Sequence, residues 1–300
     1  MNVFFLSSFF PGLFSSFFSV LFLQSAQGHT PVSPLPTPPS VELILDKFSA
    51  QVKGLGEYSV LHIQQERFKD GLGPQMKMAV KYSKGRFYLK MLEGPKAGAE
   101  VLYDPHWNGG KVKVHKGKFP DITVNLDPRG SRMLELQHHP IDHLSFLHIA
   151  QSLTKTIGKC RNLPGSSSRL VKVDTGNPTQ ADQPISIEFI APWHTTHTKV
   201  KKDANIWDLA HSLSVDPFLF LHTNGLAFDD DLVEDAVLEV PHCYAPRTLL
   251  TVDAQTLLPR KLEAYNSQQQ LYESYEWQNL DTRPQFKEID FDPDNPNYHF

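Results

Sequence analysis

Between Tyr58 and Leu126, apolar and polar side chains alternate with the period of two that sends successive residues to opposite faces of a strand. Met76, Met78, Val80 and Tyr82 alternate with Lys77, Ala79 and Lys81. Phe87, Leu89 and Met91 alternate across Arg86 to Leu92, and Val112 and Val114 alternate with Lys111, Lys113 and His115. Tyr58 to Phe68, Val101 to Tyr103 and Ile122 to Leu126 read as further strands. One apolar and one wetted face per strand is the pattern of an antiparallel meander, not of a parallel sheet buried on both sides. Two stretches switch to helical spacing. Val41, Leu45, Phe48 and Val52 follow Ser40 as N-cap and stop at Gly54 and Gly56. Ile141 to Ile157 is predicted as a second helix, with Pro140 in its first turn and Gly158 closing it. Asn162 to Ser168 reads as a loop, after which Leu170 to Asp174 resumes the sheet.

The second half is organised around an interruption. Ile185, Ile187 and Phe189 share one face of a strand, and Arg247 to Val252 form another. They read as two arms of one hairpin whose tip is replaced by residues of different grammar. Within that insertion His197 to Val200 is a short strand. Asn205 is a helix N-cap followed by Ile206, Leu209, Ala210 and Leu213. Asp216-Pro217 starts a second helix through Phe218, Leu219, Leu221 and His222, and Asn224-Gly225 ends it with a left-handed cap. Val237 to Pro241 closes the unit as a strand. Strands resume at Arg260 to Tyr265 and Leu271 to Asn279. Asp281 to Phe300 is an acidic, proline-rich tail ending in aromatic residues.

The inserted strand–helix–helix–strand order resembles a LysM module. Val200, Ile206-Trp207-Asp208-Leu209-Ala210, Val215, Asn224-Gly225-Leu226, Leu232 and Leu238-Glu239-Val240-Pro241 carry the likeness. Departures fall in loops: Asp203-Ala204-Asn205 stands where the family has Gly-Asp-Thr, and Glu234-Asp235-Ala236 where it has Pro-Gly. The resemblance implies binding of N-acetylglucosamine polymers such as peptidoglycan. The groove would use backbone groups around Asp203, Ala204, Asn205 and Ile206, with Asn224, Gly225 and Leu226 opposite. The rest of the chain resembles the DUF1571 group within the LolA/RseB-like half-barrels. Phe87-Tyr88-Leu89-Lys90-Met91, Gly98 to Tyr103, Tyr275 to Leu280 and Asn295-Pro296-Asn297-Tyr298-His299-Phe300 carry that likeness. It implies a curved sheet whose concave apolar face lies under helices and takes lipid or lipoprotein acyl chains. Met76, Met78, Val80, Phe87, Leu89 and Met91 are the residues that would line such a cavity. The alternative is that they pack against the two helices and nothing else enters. The expected architecture is α+β: a curved antiparallel half-barrel with covering helices, built from residues 41–194 and 245–300, plus an inserted βααβ module at 195–244.

The first residues, Met1 to Leu23, are a run of Phe, Leu, Val and Ser, and no Asp, Glu, Lys or Arg precedes Glu42. Ala26-Gln27-Gly28 then supplies small residues for a secretory cleavage site, so 1–28 reads as a signal peptide and 29–40, rich in proline, as a spacer. The alternative is an uncleaved membrane anchor. Either places the chain outside the cytoplasm, with a periplasmic location expected. Cys160 and Cys243, the two cysteines, would form a disulfide there or remain free thiols. A net charge of −4 argues against a nucleic-acid partner. His138, His139, His143 and His148 cluster, but His143 and His148 are five apart, on different helix faces, and read as surface and cap residues rather than metal ligands. Asp229-Asp230-Asp231 reads as a solvated loop. Nucleophile elbow, P-loop and dinucleotide fingerprint are absent. The expectation is a cofactor-free, non-catalytic cell-envelope protein that binds lipid or lipoprotein in the half-barrel and peptidoglycan through the module. The alternative is an envelope regulator or adaptor with a closed core and a protein-docking module.

Overall fold

The alternating stretches form strands because each has an apolar face to bury. A computed structural model describes residues 40–171, 183–213, 215–227 and 230–300. Helix α1 (Val41–Lys53) leads into β1 (Glu57–Phe68), β2 (Gly71–Leu72), β3 (Met76–Ser83), β4 (Arg86–Glu93), β5 (Glu100–Tyr103), β6 (Val112–His115) and β7 (Thr123–Leu126). The short α2 (Ser131–Leu134) and the longer α3 (Phe146–Cys160) precede β8 (Ser167–Val171) and β9 (Ile185–Ile190). Then come β10 (Thr195–Lys199), α4 (Ile206–Leu213), α5 (Pro217–Thr223) and β11 (Val237–Pro241). The chain ends through β12 (Arg247–Val252), β13 (Pro259–Tyr265) and β14 (Leu271–Asp281).

Among the described residues, all strands except β10 and β11 join one curved, open antiparallel sheet. Its order is β7-β6-β5-β4-β3-β1-β14-β13-β12-β9-β8, with β2 paired to the end of β1. The expected α+β class therefore holds. Ser40 caps α1 by accepting the Leu43 N–H at 3.2 Å, and Val41, Ile44, Phe48 and Val52 face the sheet. Each such side chain contributes on the order of 2 kcal/mol by leaving water. Phe146, Ala150 and Leu153 of α3 complete the cover.

The second covering helix differs from the expectation. Residues 141–143 form one 3-10 turn after Pro140, and the α-helix starts only at Phe146 and runs to Cys160, through Gly158. Ser145 decides the start: its hydroxyl accepts the His148 N–H at 3.1 Å. The break also overturns the expected separation of His143 from His148, whose rings stack at 3.9 Å.

The interrupted hairpin is present. β9 and β12 pair antiparallel from Ile190↔Arg247 to Ile185↔Val252. Between them β10 and β11 pair from Thr195↔Pro241 to Lys199↔Val237, so the first inserted strand begins before the expected His197. Asn205 caps α4 through the Asp208 N–H at 2.9 Å, and Asp216 caps α5 through the Leu219 N–H at 2.9 Å. Gly225 has φ 64°, the left-handed conformation that lets the chain turn out of α5. A disulfide joins Cys160, at the end of α3, to Cys243, just after β11, with Cα atoms 5.9 Å apart.

The tail does not hang free. Residues 288–291 form a 3-10 turn, and Phe291 is buried with Tyr88 and Leu102 on the outer face of β4 and β5, beside Phe286, Tyr298 and Phe300. Among the described residues no helix is long and apolar enough to cross a membrane. The signal segment, the proline-rich spacer, Val173, Asp174 and Asp229 lie outside the described residues.

Candidate functional site

Along β1 the inward positions are Tyr58, Val60, His62, Gln64 and Glu66, all buried. The face therefore begins aromatic and apolar and ends polar. The register sets His62 beside Trp277, Gln64 beside Tyr275 and Glu66 beside Glu273 of β14. An open sheet cannot leave two carboxylates in its interior without partners, because burying an unpaired charge costs several kcal/mol. The partners come from residues 138–139, from β14 and from the inserted segment.

Glu66, Glu273 and His138 are each 2% exposed. Glu66 accepts the Tyr275 hydroxyl at 2.6 Å and the backbone N–H of His138. Glu273 accepts His138 Nδ1 at 2.7 Å, His139 Nε2 at 3.2 Å and the Tyr244 hydroxyl. His138 Nε2 reaches the Arg67 carbonyl at 3.0 Å, so both ring nitrogens face acceptors, the arrangement of an imidazolium. From the inserted segment, Asp216 lies 3.8 Å from His139 Nδ1, and Phe218 stacks on His138 at 5.1 Å between ring centroids. His222 sits against Tyr272 at 5.3 Å. The network thus joins β1, β14, residues 138–139 and α5.

Burial opposes charge throughout the cluster. On His139 the two carboxylates and Asp216 outweigh it and raise the imidazolium to about 10. His138 is raised in the same way by Glu66 and Glu273. Glu273 is held far below the usual carboxylate range because both imidazoliums outweigh its burial. Burial wins on Glu66 and on Asp216, which are raised. Four other histidines move the opposite way, also through burial: His62 to about 4, His143 to about 3, and His148 and His222 downward.

These two sets predict a stability maximum near about pH 6, close to the unfolded histidine value of ~6.5. The raised pair, His138 and His139, stabilises fully below ~6.5, and that contribution is lost as pH rises towards about 10. The lowered set stabilises above ~6.5 and loses its contribution as pH falls through about 4 and about 3. The raised carboxyls of Glu66 and Asp216 lose their contribution as pH rises from the unfolded values of ~4, and the lowered Glu273 acts against them, losing its contribution as pH falls. Thermal melts from acid to alkaline pH should give a peaked profile. A midpoint that climbs steadily to pH ~9 would contradict the charged state of the pair.

A cleft of about 310 Å³ opens beside the network. One wall carries Arg67, Phe68, Lys69, Leu134 and His138, and the other carries Phe218, Leu221, His222 and Leu226 of the inserted segment. The volume and the mix of aromatic, aliphatic and charged groups, with Asp70 and Glu135 among them, suit a small ligand or a chain end.

The residues singled out by sequence are distributed as follows. Leu226 lines this cleft. Asn205 is engaged as the α4 cap, and Asn224 ties α5 to β11 by exchanging two 2.8 Å hydrogen bonds with the Glu239 backbone. Asp203 adopts φ 57°, Ala204 and Ile206 are half-buried, and Gly225 is the helix-ending turn. Met76, Met78, Val80, Phe87, Leu89 and Met91 are between 1% and 8% exposed and belong to the core under α1 and α3. None of them lines this cleft. Among the described residues no set of His, Cys, Asp and Glu converges as metal ligands. Sequence reasoning missed Glu66, Glu273, Tyr244, Tyr275 and Asp216 as a unit. The available signal was the run of polar residues at inward positions of β1.

Fold and site together define an open antiparallel half-barrel closed by its own helices, with a βααβ segment clamped to its polar end. The chain belongs to the family described as "Protein of unknown function (DUF1571)", whose profile matches residues 55–240 and 238–300. No curated protein matches it in sequence. Similar solved structures include an uncharacterized conserved protein from Thermus thermophilus, at 7% identity and TM-score 0.38, covering 84% of this chain and 93% of that one. A LolA superfamily protein from Nitrosomonas europaea is similar at 12% identity and TM-score 0.31, covering 85% and 98%. A chain of the Pseudomonas aeruginosa MucA/MucB complex is similar at 12% identity and TM-score 0.36, covering 83% of this chain and 59% of that one.

Proposed function

We propose that this chain is a non-catalytic adaptor of the bacterial cell envelope. Its half-barrel is a closed scaffold, and the βααβ segment with the adjoining cleft is its docking surface. The filled interior carries this reading. The six inward residues that would line an acyl cavity are buried in one core with side chains of α1 and α3, and the Glu66–Glu273 network occupies the polar end. Both carboxylate oxygens of Glu273 and both ring nitrogens of His138 have partners inside the fold, which is the use expected of structural rather than catalytic groups.

N-acetylglucosamine polymer is the ligand nominated by the LysM resemblance. Because Asn205 and Asn224 are engaged internally, recognition would rest on backbone groups of the 203–206 and 224–226 loops. Two measurements on the full chain test the proposal. Organic extraction followed by mass spectrometry should yield no stoichiometric acyl ligand; one mole of lipid per mole of protein would show instead that α1 and α3 lift to admit a chain. Sedimentation with insoluble peptidoglycan should retain the wild type and lose Ala204→Trp. Retention of neither would remove the glycan and leave a protein as the docking partner.

A further inference from the structure

The hairpin between β6 and β7 ends in Lys116-Gly117-Lys118-Phe119-Pro120-Asp121. Phe119 is 96% exposed, the highest value among the exposed large apolar side chains described, and Ile122 beside it is 45% exposed. An aromatic ring standing wholly in water at a loop tip needs a reason, because its transfer to an apolar surface is favourable.

The tip is held out rather than free to fold back. The Lys116 N–H donates to the Ile122 carbonyl at 3.1 Å, and His115 Nε2 meets Asp121 at 2.5 Å. Gly117, at φ 68°, lies so close to the Gly98 carbonyl that any Cβ there would collide with it. The base of the loop is therefore locked to the turn between β4 and β5.

The charge around the ring is as informative. Lys111, Lys113, Lys116 and Lys118 follow one another on the hairpin in a chain whose net charge is −4. None of these lysines forms an ion pair among the described residues, and Lys113 lies over the Trp107 ring at 5.7 Å. An exposed aromatic wedge flanked by Lys116 and Lys118, neither of them in an ion pair among the described residues, is the composition that partitions into a headgroup layer. The acidic remainder of the chain would be repelled by the same surface, which orients the molecule tip first.

We propose that the β6–β7 hairpin docks on an anionic lipid bilayer, with Phe119 inserted among the headgroups and Lys116 and Lys118 against their phosphates. This surface is separate from the βααβ segment and does not depend on the ligand of that segment. Phe119→Trp in the full chain supplies the reporter, read as the emission difference from wild type. On vesicles of phosphatidylglycerol and phosphatidylethanolamine its emission should shift to the blue and be quenched by brominated acyl chains; on phosphatidylcholine alone it should not. Lys116→Gln with Lys118→Gln should lower the vesicle affinity read from that signal about thirty-fold, and salt should lower it further. Because all three side chains are exposed, an unchanged thermal melt will confirm that the variants fold. If the chain binds vesicles while the difference emission of the Phe119→Trp variant stays unshifted, or shifts equally on uncharged lipid, the proposal is overturned.

Discussion

Glu273→Ala should cost about 4 kcal/mol of stability, the usual penalty for removing one partner of a buried ion pair. His138 and His139 have ring centroids 6.4 Å apart, and Glu273 is the carboxylate that touches both. Without it two imidazoliums face each other, His138 buried and His139 only partly exposed, and the Tyr244 hydroxyl loses its acceptor. The midpoint of thermal unfolding should fall by about 10 °C for a chain of this size. The effect should also be local. α5 meets the sheet through Asp216 and Phe218 on these same histidines, so the segment between β9 and β12 should become protease-sensitive before the sheet does. The alkaline fall in stability should flatten in the variant, because the groups that raised the two histidines are reduced to Glu66 and Asp216. Glu273→Gln, which keeps the shape but not the charge, should lie between wild type and Ala. A loss of less than ~1 kcal/mol, with the inserted segment as resistant as before, would mean that the network is not what holds it.

Much of the architecture was legible because it is written locally. Alternation at Met76 to Tyr82 and Phe87 to Met91 needs no knowledge of the neighbouring strand, since one face is wet whichever strand pairs with it. The same is true of the caps at Asn205, Asp216 and Gly225, each of which acts within a turn. The helix start at Ser145 went astray because Pro140 and Ser145 are both good N-terminal residues, and only the three-dimensional structure shows that the first begins a separate turn. The ionic network was not legible for a different reason. Glu66 and Glu273 are far apart in sequence, and they become neighbours only through the β1–β14 register. Their inward positions next to Gln64 and Tyr275 carried a warning, since a charge on the buried face of a strand demands a partner. The loops that resemble a sugar groove illustrate a third limit. Backbone groups are the expected sugar contacts there, and the Asn205 and Asn224 side chains hold that backbone in place, so the residue types alone do not carry the ligand.

The tail extends that argument to the outer face of the sheet. Tyr88 stands between Arg86 and Lys90 on what alternation reads as the wet side of β4, and the tail is what keeps it dry. Tyr298 stacks on it at 3.9 Å and 8°, while Lys81 lies over the Tyr88, Phe286 and Tyr298 rings at 5.4 to 5.8 Å and bonds Asp290 at 2.6 Å. His299 donates its backbone N–H to Glu100 at 3.1 Å, and its ring meets the same carboxylate at 2.8 Å. Truncation after Asn297 removes the Tyr298 ring, the Phe300 edge contact and both bonds to Glu100. A loss of about 4 kcal/mol is expected: ~2 for the aromatic packing and ~2 for the charge-assisted bonds. Tyr88 would lose the two rings that cover it, so the truncated chain should bind a hydrophobic dye in its folded state and aggregate on heating. Tyr298→Phe separates the two contributions, because it keeps the stacking and loses the hydroxyl that bridges Lys81 at 3.1 Å and the Asp290 carbonyl at 2.8 Å. It should cost only about 1 kcal/mol and expose no dye site. If the truncated chain instead melts with the wild type, the tail is an ornament on a self-sufficient sheet, and the family likeness of Asn295 to Phe300 calls for an external partner rather than for Tyr88.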